Sequence, residues 1–224
     1  MNAAGARARV RAELTKEITD VARRHLASDG ASALSLRAVA REMGMASSAV
    51  YRYFPSRDDL LTTLIVDAYN ALGEQAEQAD ATVAGDDLRG RWQATCAAVR
   101  AWALAHPHEY ALVYGSPVPG YAAPEATIGP AGRVGLVLCR IIAEAASRTD
   151  GPEAAMSDED PTLAPGLAAS IGVPDRLAPL AVQAWTALFG LISFELFGHT
   201  HNVVVDHDAF FAGATARLAA HFGL

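Results

Sequence analysis

The run from Leu180 to Phe194 (LAVQAWTALFGLISF) is apolar on nearly every face of a helix, relieved only by Gln183 and small Ser and Thr side chains. A membrane span needs about 20 apolar residues, and Pro179 and Glu195 bound a shorter run here. A helix of this kind in a soluble protein is buried on all sides. One face meets its own domain, and the rest is expected to meet a partner helix. An oligomer without a membrane anchor is therefore the first expectation.

The remainder of the chain also reads as helical. Alternating β-branched and aromatic stretches are missing apart from Val203, Val204 and Val205. Apolar residues at Val10, Leu14, Ile18, Val21, Ala22 and Leu26 have helical spacing, and Asp29-Gly30 ends that helix. Ser35 is a good N-cap for a second helix to Met43, stopped by Gly44. A third short helix is predicted from Ser47 to Tyr53, closed by Pro55. Ser56 followed by Asp59 has the capping-box spacing and opens a long helix to about Asp80. Asp86-Asp87 caps a helix to Ala105, and His106-Pro107 separates it from a short one ending at Tyr114. GSPVPGYAAP (115–124) must be an ordered loop or a lid. A helix to Arg148, an acidic Pro-rich connection over 149–165, and helices over 175–199 and 207–222 complete the prediction.

Charge divides the chain. Overall there are 25 acidic and 18 basic residues, a net −7. Residues 1–60 nevertheless hold ten basic and seven acidic side chains, a net +3, and the rest is acidic. A basic head on an acidic body can present nucleic acid to the head alone. Hydrophobic residues at 51% exclude a disordered chain, and two cysteines are too few for a disulfide scaffold. The first twenty residues lack the apolar core of a signal peptide, which points to the cytoplasm.

The informative stretch is SLRAVAREMGMASSAVYRYFPSRDDL (35–60). Two short helices across a Gly turn have helix-turn-helix proportions. Leu36, Val39, Ala40 and Met43 form the inner face of the first, with Ala49, Val50 and Phe54 opposite. Small residues at 46–49 leave the second helix open to close approach, and Tyr51, Arg52 and Tyr53 carry groups that bond phosphates and base edges. Gly44, Tyr51, Tyr53-Phe54, Ser56, Arg57, Asp58-Asp59 and Leu60 together resemble the TetR family of bacterial transcriptional regulators. Ala46 stands where that family often has a capping Ser, so Ser47 is the expected cap.

The resemblance implies Ser35 and Arg37 on phosphates, Ser47, Ser48, Ala49 and Arg52 at base-reading positions, Tyr51 and Tyr53 on phosphates, and Arg57 gripping backbone. Arg52 alone among the base readers can form a bidentate contact with guanine. Arg7, Arg9 and Arg11 form either an arm along the DNA or a solubilising tail. The resemblance continues more weakly in YALVYGSPVPGYAAPEAT (110–127) and AWTALFG (184–190). These look like a subgroup of TetR-like C-terminal domains marked by Trp-x-x-hydrophobic-His-Gly, with Phe189 replacing the His.

The implied architecture is all-α: a helix-turn-helix DNA-binding domain at 1–56 and a helical ligand-binding and dimerisation domain at 57–224. Trp92, Cys96, Trp102, Tyr110, Tyr114, Trp185 and Phe189 are either ordinary core or the wall of a site for a small hydrophobic effector. His106, His108, His199, His201 and His207 match no helix-based metal motif, so no metal or cofactor is expected. No G-x-S-x-G, P-loop, Rossmann or H-E-x-x-H signature occurs, and Cys96 lies among apolar neighbours, so no enzyme is expected either. The expected function is a homodimeric repressor on a near-palindromic duplex operator, released by its effector. The alternative is a helical small-molecule sensor whose basic head meets protein.

Overall fold

The computed structural model describes residues 3–148, 160 and 162–224. They form α-helices α1 (Ala3–Asp29), α2 (Leu36–Glu42), α3 (Ser47–Val50), α4 (Arg57–Ala81), α5 (Leu88–Ala105), α6 (Pro107–Tyr114), α7 (Ile128–Arg148), α8 (Leu167–Ile171), α9 (Ala178–Leu196) and α10 (His207–His221). Among the described residues there is no strand, and Val203–Val205 lie in a turn and its exit. The connection expected over 149–165 lies largely outside the described residues.

The chain packs as two compact units, Met1–Tyr69 with His106–Ile128, and Asn70–Ala105 with Gly129–Leu224. This division by packing falls inside α4 and gives α6 to the first unit, whereas the sequence was divided after residue 56.

In the first unit Ile18, Val21, Ala22 and Leu26 of α1 are buried at helical spacing against Leu36, Val39 and Ala40 of α2. The turn after α2 explains its glycine. Met45 N–H donates to the Ala40 carbonyl at 2.9 Å and Gly44 N–H to that of Arg41 at 3.2 Å. This paired closure needs a left-handed residue between them, and Gly44 has φ 65°. Val50 and Phe54 close the other side of the same core.

Two expectations about α3 are corrected. Its regular part ends at Val50, and Arg52 and Tyr53 continue as tightened turns bonded to the Ala49 and Val50 carbonyls. Ala46, not Ser47, stands at the N-cap, extended at ψ 137°, and no side chain caps the helix. Ser56 does cap α4: its Oγ accepts from Asp59 N–H at 3.1 Å and donates to Asp59 Oδ2 at 2.7 Å.

Leu112 of α6 joins the core of the head. The Tyr69 hydroxyl donates to the Val113 carbonyl at 3.2 Å, and the Tyr69 and Tyr114 rings meet edge to face. The 115–124 segment is an ordered loop fastened to α4, with the Tyr121 and Thr62 hydroxyls 3.0 Å apart.

In the second unit α5 packs against α9 and α10, burying Trp92, Cys96, Val99 and Ala103 completely. α7 contributes Val134, Val137, Leu138, Ile141 and Ile142 to the core. α9 is covered on one side: Ala184, Leu188 and Ile192 are buried, while Phe194 on the opposite side and Phe197 just past the helix end are 58% and 41% exposed, and Trp185 is 41% exposed at the edge of the buried side. By length and composition alone, Glu125–Arg148 and Asp175–Leu196 could each cross a membrane. α8 was not expected; it lies between Gly166 and Gly172, both left-handed.

Candidate nucleic-acid interface

The turn at Gly44 sets α3 across α2, and burial of Val50 against Val39 and Ala40 decides which side of α3 faces out. Ser48, Tyr51 and Arg52 are exposed together on that outer side, and Ser47, Ala49 and Tyr53 are half-buried beside it. Arg37 is exposed on α2, and half-buried Ser35 stands at its N-cap with no side-chain capping bond. The structure thus leaves two aromatic hydroxyls, two serine hydroxyls and the Arg52 guanidinium within about two turns of backbone (47–53), without carboxylates among them.

Arg57 is placed differently from a free phosphate grip. Its Nε donates to the Leu34 carbonyl at 3.1 Å, and its Nη2 to those of Ala31 and Ser32 at 2.8 and 3.3 Å. Nη1 stands 3.6 Å from Asp58. The guanidinium therefore stitches the α1–α2 connection to the start of α4. Hydrogen bonds from a charged donor contribute about 1.5–3 kcal/mol each, less where water reaches them. Replacing Arg57 with Ala should lower stability by about 2 kcal/mol in urea unfolding. It should weaken DNA binding through the fold while leaving the salt slope unchanged; a slope lowered by one phosphate contact with stability intact would reverse that assignment.

Arg7, Arg9 and Arg11 are neither an extended arm nor a tail, because α1 runs unbroken from Ala3. Before Val10 only Gly5 disfavours a helix, and the apolar period used to start it there marks spacing rather than burial, since Val10 is exposed and Ile18 is the first fully buried residue. The Arg11 guanidinium lies 5.2 Å from the centre of the Tyr53 ring, and its Nη2 donates to the Arg52 carbonyl at 3.5 Å. That tie between α1 and the end of the recognition segment was not anticipated. Arg23 is a second such cross-link, paired with Asp20, Asp67 and Glu109.

The seven aromatic and thiol candidates divide between the units. Tyr110, fully buried, and half-buried Tyr114 belong to the first, with ring centres 5.1 Å apart. Trp92, Cys96, Trp102, Trp185 and Phe189 belong to the second. Trp92 and Cys96 are sealed in its core, and burial pushes the Cys96 thiol far up, so it stays protonated and inert. Trp185 is exposed and meets buried Phe189 edge to face. Next to Cys96, Thr95 is completely buried with its Oγ1 lacking any hydrogen-bond partner. Its lone hydroxyl among apolar neighbours carried no sequence signal. His207 Nε2 bonds Thr200 Oγ1 and the His199 ring rests on Phe194. Among the described residues no three His, Cys, Asp or Glu side chains converge as metal ligands.

The comparisons with known proteins agree with this geometry. Residues 18–64 match the family described as bacterial regulatory proteins, tetR family, and residues 92–218 match the tetracyclin repressor-like C-terminal domain. HTH-type transcriptional regulators of Mycobacterium tuberculosis and Mycobacterium bovis are each 37% identical to the chain, covering 96% of it and 95% of themselves. The solved structure of the protein SCO4313 superimposes with a TM-score of 0.75 at 34% identity, over 95% of this chain and 98% of that one. A Rhodococcus sp. RHA1 protein shares the fold, with a TM-score of 0.71 at 24% identity over 94% and 96% of the two chains. TetR regulators bind DNA and are generally dimeric. With the exposed face of α3 and matches over both parts of the chain, the protein belongs to the TetR family of transcriptional regulators and is not an enzyme.

Proposed function

We propose that the protein is a homodimeric cytoplasmic repressor that reads a near-palindromic operator and is released by a small hydrophobic effector. The observation that carries DNA reading is the exposed Ser48, Tyr51 and Arg52 edge of a short helix held by the Gly44 turn. Two copies enter successive major grooves about one helical turn apart or somewhat more. Arg52 is the bidentate base reader; Ser47, Ser48 and Ala49 fit against base edges; Ser35, Arg37, Tyr51 and Tyr53 hold phosphates.

Dimerisation is supported by the apolar outer side of α9 and by Phe210 of α10, which is 43% exposed. Large apolar groups exposed at Phe194, Phe197 and Phe210 favour a second copy over water. The functional division is the DNA-reading part at 1–56 and the effector and dimer part at 57–224. In the latter, the match of residues 92–218 to a tetracyclin repressor-like C-terminal domain supports a small effector with an apolar body. Such an effector shifts the spacing of the two heads only by its differential affinity for the two dimer shapes.

The test uses DNA flanking the protein's own coding region in mobility shifts. Arg52→Ala should cost about 1–3 kcal/mol on the preferred base and relax specificity at that position. Equal loss on cognate and scrambled duplexes would remove Arg52 from base reading. Binding that is absent or insensitive to salt would favour the sensor whose head meets protein.

A further inference from the structure

We infer that the N-terminal turns of α1 form a second DNA-binding surface, a rigid helical clamp on the phosphate backbone beside the groove that α3 enters. The inference rests on the DNA-reading function proposed above. Before Ile18, the first fully buried residue of α1, the helix stands out from the core of its unit. This projecting part holds Arg7, Arg9 and Arg11, and its first carboxylate is Glu13. All three arginines are exposed, and among the described residues none of the three forms an ion pair.

Helical spacing separates them. Arg7 and Arg11 are one turn apart on one face, while Arg9 points about 200° round the axis from Arg7. Arg7 and Arg11, with Ala6, Val10 and Tyr53, line an open groove of about 450 Å³ that has no carboxylate in its wall. The adjoining groove along α1 differs. Arg11 borders it too, but its other cations, Lys16 and Arg23, are already matched by Asp20, Asp67 and Glu109. The groove at Tyr53 brings unpaired Arg7 and Arg11 together with no carboxylate in its wall, so an anion is drawn there.

The Arg11 contacts with the Tyr53 ring and the Arg52 carbonyl fix that groove to the end of the recognition segment. A phosphate held by Arg7 and Arg11 is therefore in register with whatever Arg52 touches. Duplex backbone is the anion that repeats beside a groove-bound helix, and neutralising a phosphate releases counterions. Arg9, directed away, takes no part and serves as an internal control.

The experiment measures affinity of the full chain for a random-sequence duplex of about 30 base pairs between roughly 50 and 200 mM salt. Arg7→Gln and Arg11→Gln should each flatten the slope of log K against log salt by about 0.9 and weaken binding roughly fivefold at the low-salt end. Arg9→Gln should leave the slope in place, and Arg11→Lys should retain it. The substitutions lie on exposed turns, so folding is checked simply by helical circular dichroism. If Arg7→Gln and Arg9→Gln act equally, or neither moves the slope, the clamp is overturned while Arg52-dependent reading stands. If the unsubstituted protein shows no salt-dependent duplex binding, the DNA reading itself fails.

Discussion

Alanine in place of Arg91 will destabilise the second unit by about 3–5 kcal/mol, the cost expected when one partner of a buried ion pair is removed. Arg91 sits in the first turn of α5 with only 10% of its side chain exposed, against Asp80 at 11%. Nε donates to Asp80 Oδ1 at 2.7 Å and Nη2 to Oδ2 at 3.2 Å, a two-pronged pair. Nη1 reaches Glu144 on α7 at 2.7 Å and the Gly85 carbonyl at 3.3 Å. One guanidinium thus ties the end of α4, the turn before α5, and α7. Its bonds to Asp80 first, then Glu144, raise its affinity for the proton against the effect of burial. Removing it strands the Asp80 carboxylate with little water. Arg91→Lys keeps a charge but loses the fork, so it should fall between wild type and alanine. Arg91→Met combined with Asp80→Leu should recover most of the loss, because the stranded charge goes too. Urea unfolding checks all three; a loss below about 1 kcal/mol for the alanine variant would mean that water already carries these charges.

The cross-links at Arg91, Arg57 and Arg11 mark where the sequence stops being legible. Gly44 could be read because a left-handed turn excludes most other residues, and Ser56 with Asp59 because capping is local chemistry. The inward face of the helix-turn-helix could be read from spacing, since Val39, Ala40 and Val50 alternate with exposed Arg37, Ser48 and Arg52 in the helical period. The partners of Arg57 are carbonyls of Ala31, Ser32 and Leu34. Every residue has a carbonyl, so nothing in the sequence announces them. α8 was missed because five residues between two glycines are too few to show a period. The place of α6 was hidden for a related reason: Leu112 and Val113 are simply apolar, and only the folded chain assigns them to the head. The outer side of α9 shows the reverse case. Its hydrophobicity was plain, but one chain buries only one side of it.

Trp92→Ala will also cost about 3–5 kcal/mol, and the form of the loss will say whether Trp92 is core or the wall of an effector site. The side chain is fully buried on α5, its Nε1 donates to the Thr215 carbonyl of α10 at 2.9 Å, and its ring meets Phe222 edge to face at 5.4 Å. These contacts join α5 to the final helix, and α10 packs against α5 along much of its length. Truncation removes the largest completely buried side chain of that junction together with its hydrogen bond. The cavity that remains is apolar except for the Thr215 carbonyl that Trp92 bonded, so a small flat molecule with one N–H can fill it. Added indole should therefore raise the unfolding midpoint of Trp92→Ala, by an amount that follows RT ln(1 + [L]/Kd), and leave the unsubstituted protein unmoved. Trp92→Phe keeps much of the volume and should lose only about 1–2 kcal/mol for the missing N–H. A wall residue behaves otherwise. Its removal would leave stability within about 1 kcal/mol of wild type, because an open site already lacks packing on one side, and would change effector release instead. Full burial and the bond to Thr215 place Trp92 with the first outcome.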